Sequence, residues 1–279
     1  MIFKQLCLSF FHKEKAIILI GIFILINISL FIVYQQSIFS HTGYEQTYPN
    51  AGLEFFYYIH SIGLNPYHFI CLMLLLPNIV SCDFLTTYIS HAHYPIETRL
   101  PKKEYYLYIY ILNILLTTLI IFIFEILVLL IIHCFYLPIH FNSMIYPEMY
   151  YATTQLLFKN ELYNLISFII MTSFGYGIVS ALLFSFQIFI RNPFVYRCSG
   201  VLIGILFVLL PALLQTCLPI NNAALLLQIN NLVCLGIEGV HENPFQLHYW
   251  VIYLITFMIY MSCAWGGFRY MYRWRLHND

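Results

Sequence analysis

Six apolar stretches of about 20 residues or more run through this 279-residue chain: Ala16 to Phe39, Tyr67 to Tyr88, Tyr105 to Tyr136, Leu162 to Ile190, Cys198 to Leu218 and Tyr249 to Tyr270. A helix of about 20 apolar residues crosses a hydrocarbon core roughly 30 Å thick, so each stretch is long enough to span a membrane. Lipid offers no partner to a free peptide group, which leaves the helix as the form such stretches can take. The reading is an all-α, polytopic integral membrane protein with six transmembrane helices in a single transmembrane domain. Composition agrees: 61% of residues are hydrophobic and 9% charged, where soluble domains carry about 25% charged residues. The third and fourth stretches exceed the minimum and are expected to tilt or to project beyond the headgroups.

Basic residues between the stretches set the expected orientation, because short loops rich in Lys and Arg stay in the cytoplasm. Lys4, Lys13 and Lys15 precede the first stretch, and Arg99, Lys102 and Lys103 lie between the second and third. Arg191 and Arg197 separate the fourth and fifth, and Arg269, Arg273 and Arg275 follow the sixth. The other connections hold Lys159 alone among bases but carry Glu45, Glu54, Glu148, Glu161, Glu238 and Glu242. Both termini are therefore expected in the cytoplasm. The net charge of zero conceals this division and gives no sign of nucleic-acid binding. Tyr105, Tyr106, Tyr249, Trp250, Tyr270 and Trp274 stand where an interfacial aromatic belt belongs.

The first stretch follows a basic flank, as in a signal peptide, yet it exceeds the usual apolar length and ends in Tyr34-Gln35-Gln36 without a small-x-small site. It reads as an uncleaved first helix. Ahead of it, Ile2, Phe3, Leu6 and Phe10 recur at helical spacing beside Lys4 and Lys13, the pattern of an amphipathic helix on the cytoplasmic surface, with a frayed tail as the alternative.

Familiar chemistry is missing from the sequence. The eight cysteines show no CxxC and sit mostly in apolar runs, with Cys217 and Cys234 the one external pair to consider. The eleven histidines suggest no metal site. His91 and His93 are flanked by Asp83 and Glu97, but positions i and i+2 diverge by about 200° on a helix. No zincin pattern, nucleophile elbow, Walker A loop or internal repeat is present.

Glu125 stands alone as an acid near the middle of a span, where a charge costs about 2.5–3.5 kcal/mol. Thr118, seven residues earlier, shares its face and extends a polar stripe. The pair lines a translocation path, or Glu125 is a neutral carboxyl hydrogen-bonded between helices. His133 is eight residues away, too far along the axis to meet it. Ser173, Gly177, Ala181 and Ser185 recur every four residues, and Gly200 and Gly204 form a GxxxG, so these mark close helix packing within one subunit or between two. Pro77 and Pro211 each remove a helix hydrogen bond and invite a kink.

Two connections are more than tethers. Residues 219 to 248 alternate apolar patches with Asn and Gly and read as short re-entrant or interfacial external helices. The cytoplasmic connection from Asp83 to Glu104 begins with Asp83 at the membrane edge, and its residues 84 to 98 carry Phe84, Leu85, Tyr88, Ile89, Tyr94 and Ile96, then Glu97. They lead into Thr98-Arg99-Leu100-Pro101-Lys102-Lys103-Glu104-Tyr105-Tyr106, a segment suited to a groove on a soluble partner.

This chain resembles the membrane subunit of ABC-2 type (type V) ABC transporters over nearly its full length. An N-terminal interfacial helix, six spans, external helices between the fifth and sixth, and above all the stretch from Pro77 to Tyr106 carry the resemblance. It lacks the large extracellular domain and the fused nucleotide-binding domain found in some members. The resemblance implies a permease subunit in a bacterial plasma membrane, paired with a second permease subunit, identical or different, and with separate ATP-binding cassette ATPase subunits. The chain itself then binds no cofactor and is no enzyme; ATP and Mg belong to the ATPase. Asp83, Phe84, Tyr88, Tyr94, Glu97, Arg99, Lys102 and Lys103 would form the coupling surface, with simple topogenic charge as the alternative for the three bases. An amphipathic substrate such as a peptide, an antimicrobial peptide or a lipid-like molecule suits the aromatic interior. The competing readings are a secondary transporter or channel with Glu125 as its ion or proton site, and a membrane-embedded enzyme.

Overall fold

A computed structural model describes residues 13–40, 50–62, 65–90, 101–141, 158, 160–190, 192–217, 226–235 and 247–278. Every regular element among these residues is helical. The first span is α1, Lys13–Gln36, and α2, Ala51–Ile59, is a short helix that follows it. The second span joins α3, Pro66–Ile79, to α4, Ser81–Ile89, across a break at Val80. The third is α5, Lys102–Ile131, prolonged by a π-helical turn over Ile132–Tyr136. The fourth is α6, Glu161–Ser185, the fifth α7, Pro193–Cys217, and the sixth α9, Tyr249–Asn278. Between the last two lies α8, Asn230–Val233.

Six of these helical segments are long and apolar enough to cross a membrane, so this is an all-α, multi-pass membrane protein. Residues 1–12, expected to form the interfacial helix, lie outside the described residues. Burial follows from lipid as solvent. On α1, Ile22, Ile26, Leu30 and Val33 face the bundle while Ile17, Ile20, Ile24, Ile28 and Phe31 face outward. Both faces are apolar, because the outer one meets acyl chains rather than water.

Helix α6 is the axis of the bundle, packed along α5 on one side and α9 on another, while α3 lies between α1 and α7. The small residues of α6 permit this. A Cβ on Gly177 would run into the Thr118 hydroxyl and lie 3.2 Å from the Ile114 carbonyl, and Ala181 is fully buried. Buried Ser173 returns its hydroxyl to the Ile169 carbonyl at 2.7 Å. Ser180, on the same helix, accepts hydrogen bonds from Asn113 (2.9 Å) and Thr117 (3.2 Å), a polar rung between α5 and α6. These seams lie within one chain.

The second seam couples a proline to a glycine. Pro77 has no N–H to offer the Met73 carbonyl four residues back. At that carbonyl α7 crosses with Gly200, where a Cβ would strike the Met73 oxygen and come within 2.9 Å of the Pro77 ring. Gly204, one turn on, meets side chains rather than backbone: a Cβ there would lie 2.6 Å from the end of Met73 and 3.3 Å from the edge of the Phe69 ring. The GxxxG therefore serves contact between α7 and α3 inside the subunit.

Two short segments penetrate the bundle without crossing it. Residues 226–235 are held by hydroxyls of α9: Thr256 donates to the Leu226 carbonyl at 2.8 Å and Tyr260 to the Leu227 carbonyl at 2.9 Å. Those donors lie seven and eleven residues into α9, about 10–16 Å along its axis; the rest of the connection expected to form re-entrant or interfacial helices, residues 219–225 and 236–246, lies outside the described residues. Helix α2 is the second such segment. Nine residues reach about 13 Å, less than half the hydrocarbon core. All of them but Tyr58 are buried.

Candidate functional site

Helix α2 lies in the connection between the first and second spans, which the sequence presents only as an acidic loop. Gly52 lets it approach the chain after α5, for a Cβ there would lie 2.6 Å and 2.7 Å from the Leu137 and Pro138 carbonyls. Phe55 packs against Tyr34, Phe39 and Tyr136. Polar ties anchor both sides: Asn50 donates to the Glu161 carboxylate, and Asn164 donates to the Tyr57 hydroxyl at 3.0 Å. Burial pushes the Tyr57 phenol above its ordinary pKa, so it stays neutral in this contact.

The C-terminus of α2 delivers His60 to Glu125. The His60 Nε2 lies 2.7 Å from Glu125 Oε2, and its Nδ1 lies 2.7 Å from the Phe56 carbonyl. His68, two residues into α3, places its Nε2 3.5 Å from Glu125 Oε1. The two imidazoles meet edge to face at 4.6 Å, and His60 also packs on Phe56 and Phe168 at 4.6 Å and 5.1 Å. All three side chains are at most 4% exposed. The donor atoms of His60, His68 and Glu125 fall within 4.8 Å of one another, a spacing that fits a metal ion.

The expectation from the sequence is that the histidines suggest no metal site. That expectation weighed neighbours in sequence, while the fold brings together residues 65 positions apart. His133 does not join them; its Nδ1 accepts from the Ile139 N–H at 2.9 Å. His91 and His93 lie outside the described residues. Thr118 is not part of the cluster either: its hydroxyl is buried against Gly177, without a hydrogen-bond partner.

A second constellation occupies the basic end of the bundle. Lys15 pairs with Asp83 and also donates to the Ile79 carbonyl, tying the start of α1 to the junction of α3 and α4. Gln187 donates to the Ser81 carbonyl at 2.6 Å and accepts from Arg275 at 3.1 Å. The Arg275 guanidinium, 2% exposed, sits 3.9 Å from the Tyr88 ring centre, 5.0 Å from Phe84 and 5.7 Å from Tyr106. A planar cation among ring faces is held by their quadrupoles.

The residues expected to form a coupling surface therefore divide. Phe84 is not on a surface: it stacks on Phe184 at 5.1 Å and is 1% exposed. The reason is that α4 prolongs the second span inside the bundle, so its apolar face is swallowed by neighbouring helices. Asp83 is engaged by Lys15, and Tyr88 lies against Arg275. Lys102 and Lys103 open α5, with Lys103 exposed. Tyr94, Glu97 and Arg99 lie outside the described residues.

Arg275→Lys tests the ring contacts, since an ammonium retains the charge but cannot stack. The variant is expected to lose about 1–2 kcal/mol, read as a lower midpoint in detergent thermal unfolding. Unchanged stability would assign the site to charge alone.

No protein-family model, curated protein or solved structure matches this chain.

Proposed function

We propose that this chain is the permease subunit of an ATP-driven exporter of the ABC-2 type in a bacterial plasma membrane, with its basic end cytoplasmic. A second permease subunit and two separate ATP-binding subunits complete the transporter. The observation that carries this reading is the polar lattice around α4. Lys15–Asp83, Gln187–Ser81 and Arg275–Gln187 join α1, α4, the end of α6 and α9 at one level. A force applied through the connection following Ser90 enters four spans together, as a coupling device must.

In this reading the pathway runs along apolar faces at the subunit interface. α1 and α7 flank α3, and both present apolar faces outward: Ile20, Ile24 and Phe31 on one, Leu202, Leu206 and Leu209 on the other. A second permease subunit set against these faces bounds an apolar route suited to peptides or lipid-like amphiphiles. Inorganic ions gain nothing from such walls.

The test is isolation of the chain from its native membrane with whatever soluble ATPase accompanies it. Charge reversal at exposed Lys103, which leaves the core intact, is expected to reduce that ATPase's turnover several-fold. Absence of any ATPase partner overturns the reading.

A second reading has its own observation. Two imidazoles on one buried carboxylate are the equipment of an ion- or proton-coupled carrier. It predicts that Glu125→Gln abolishes gradient-driven transport in the absence of ATP.

A further inference from the structure

The polar atoms around Glu125 do not satisfy one another. A carbonyl only accepts, so the 2.7 Å contact to Phe56 makes His60 Nδ1 the donor. In the neutral ring this leaves Nε2 as a lone pair, facing Glu125 Oε2 at 2.7 Å. Two acceptors at that separation repel unless a cation or proton sits between them. On the other side of the carboxylate, Glu125 Oε1 and His68 Nε2 face each other at 3.5 Å without forming a hydrogen bond, and His68 Nδ1 is buried without a hydrogen-bond partner. Leaving such an atom buried and unpaired costs the full desolvation of that group.

We propose that His60, His68 and Glu125 form the binding site of one divalent transition-metal ion of the zinc class. Two imidazole nitrogens and a carboxylate oxygen are borderline ligands, matched to zinc and its neighbours, whereas calcium and magnesium require oxygen shells. One ion meets the His60 lone pair, the carboxylate and one His68 nitrogen together, which leaves the other His68 nitrogen as the one orphaned atom of the group. The Phe56 carbonyl supplies the outer contact that orients a metal-bound histidine and selects its tautomer. The ligands come from α2, α3 and α5, so the ion pins the short helix to two spans. Three protein ligands leave a fourth tetrahedral position open to water or to a small donor. The proposal holds whether ATP or an ion gradient drives the protein.

The experiment uses the untagged full chain in detergent, stripped with a chelator and then titrated with zinc or cobalt. Wild type is expected to take up one tight equivalent, to show the visible bands of tetrahedral cobalt, and to gain thermal stability with zinc but not with magnesium. His60→Ala, His68→Ala and Glu125→Gln are each expected to lose that equivalent, whereas His133→Ala and His140→Ala retain it. Glu125→Gln preserves shape, and the wild-type cobalt spectrum needs no variant, so a folding defect in an alanine variant does not spoil the test. A stripped wild type that binds no zinc overturns the proposal and leaves a proton shared by the three groups. Tight binding that survives all three substitutions overturns it as well, by placing the metal among the chain's other histidines.

Discussion

His60→Leu is expected to destabilise the protein by about 3–5 kcal/mol, the cost of taking one partner from a buried ion pair and leaving the other uncompensated. Glu125 then keeps only His68 at 3.5 Å, inside a pocket walled by aromatic rings. The carboxyl can escape this cost by taking a proton, so the loss should diminish under acid conditions. Combining His60→Leu with Glu125→Gln is expected to recover much of the stability, because no charge remains to be buried. The measurement is a double-mutant cycle on thermal or denaturant midpoints of the detergent-solubilised, metal-stripped protein. Losses that simply add would show that the two side chains do not act as a pair.

Gly200→Ala is the second large effect, about 1–3 kcal/mol for one methyl group. The methyl would meet the Met73 carbonyl, which is backbone and cannot turn aside, so α7 must move away from α3. Gly204→Ala meets side chains instead, the Met73 thioether end and the Phe69 ring edge at 3.3 Å, and a methionine shifts rotamer at little cost. A Gly200 variant clearly less stable than its Gly204 counterpart is the expected result. Equal midpoints would mean that the carbonyl contact does not govern the crossing. Since the crossing follows from a proline four residues past a carbonyl, replacing Pro77 by alanine should restore that carbonyl's helix bond without relieving the Gly200 clash.

Much of the fold was legible because lipid imposes one strong rule, that spanning segments are long, apolar and helical. The six stretches became six helices with ends displaced by a few residues; for instance, α1 begins at Lys13 and α7 at Pro193, before their uniformly apolar parts. The same rule concealed α2. Its sequence, Ala51-Gly52-Leu53-Glu54-Phe55-Phe56-Tyr57-Tyr58-Ile59, is apolar throughout except at Glu54, but it is too short to register as a span. Glu125 stood out as a mid-span acid, yet its partners did not, because ligands gathered from three elements share no spacing. The signal within reach was that a buried acid needs company, and two histidines flank the start of the second span. In the coupling segment an aromatic run beside basic residues suggests a docking face, and what the run does not disclose is that Phe84 is buried against Phe184 and half-buried Tyr88 lies against Arg275.

Helix α2 also constrains the order in which the protein can be assembled. As the chain emerges, residues 51–59 appear after the first span, yet they are too short to be held in lipid alone and carry Glu54. Their polar anchors arrive much later: Asn50 waits 111 residues for Glu161, and Tyr57 waits 107 residues for Asn164. Until the fourth span is inserted, the segment must remain at the membrane surface or in the shelter of the insertion machinery. Biogenesis thus has a late step in which an early piece of chain is drawn inward. Variants at Asn50 or Glu161 should fail there, yielding protein that is correctly threaded but incompletely closed.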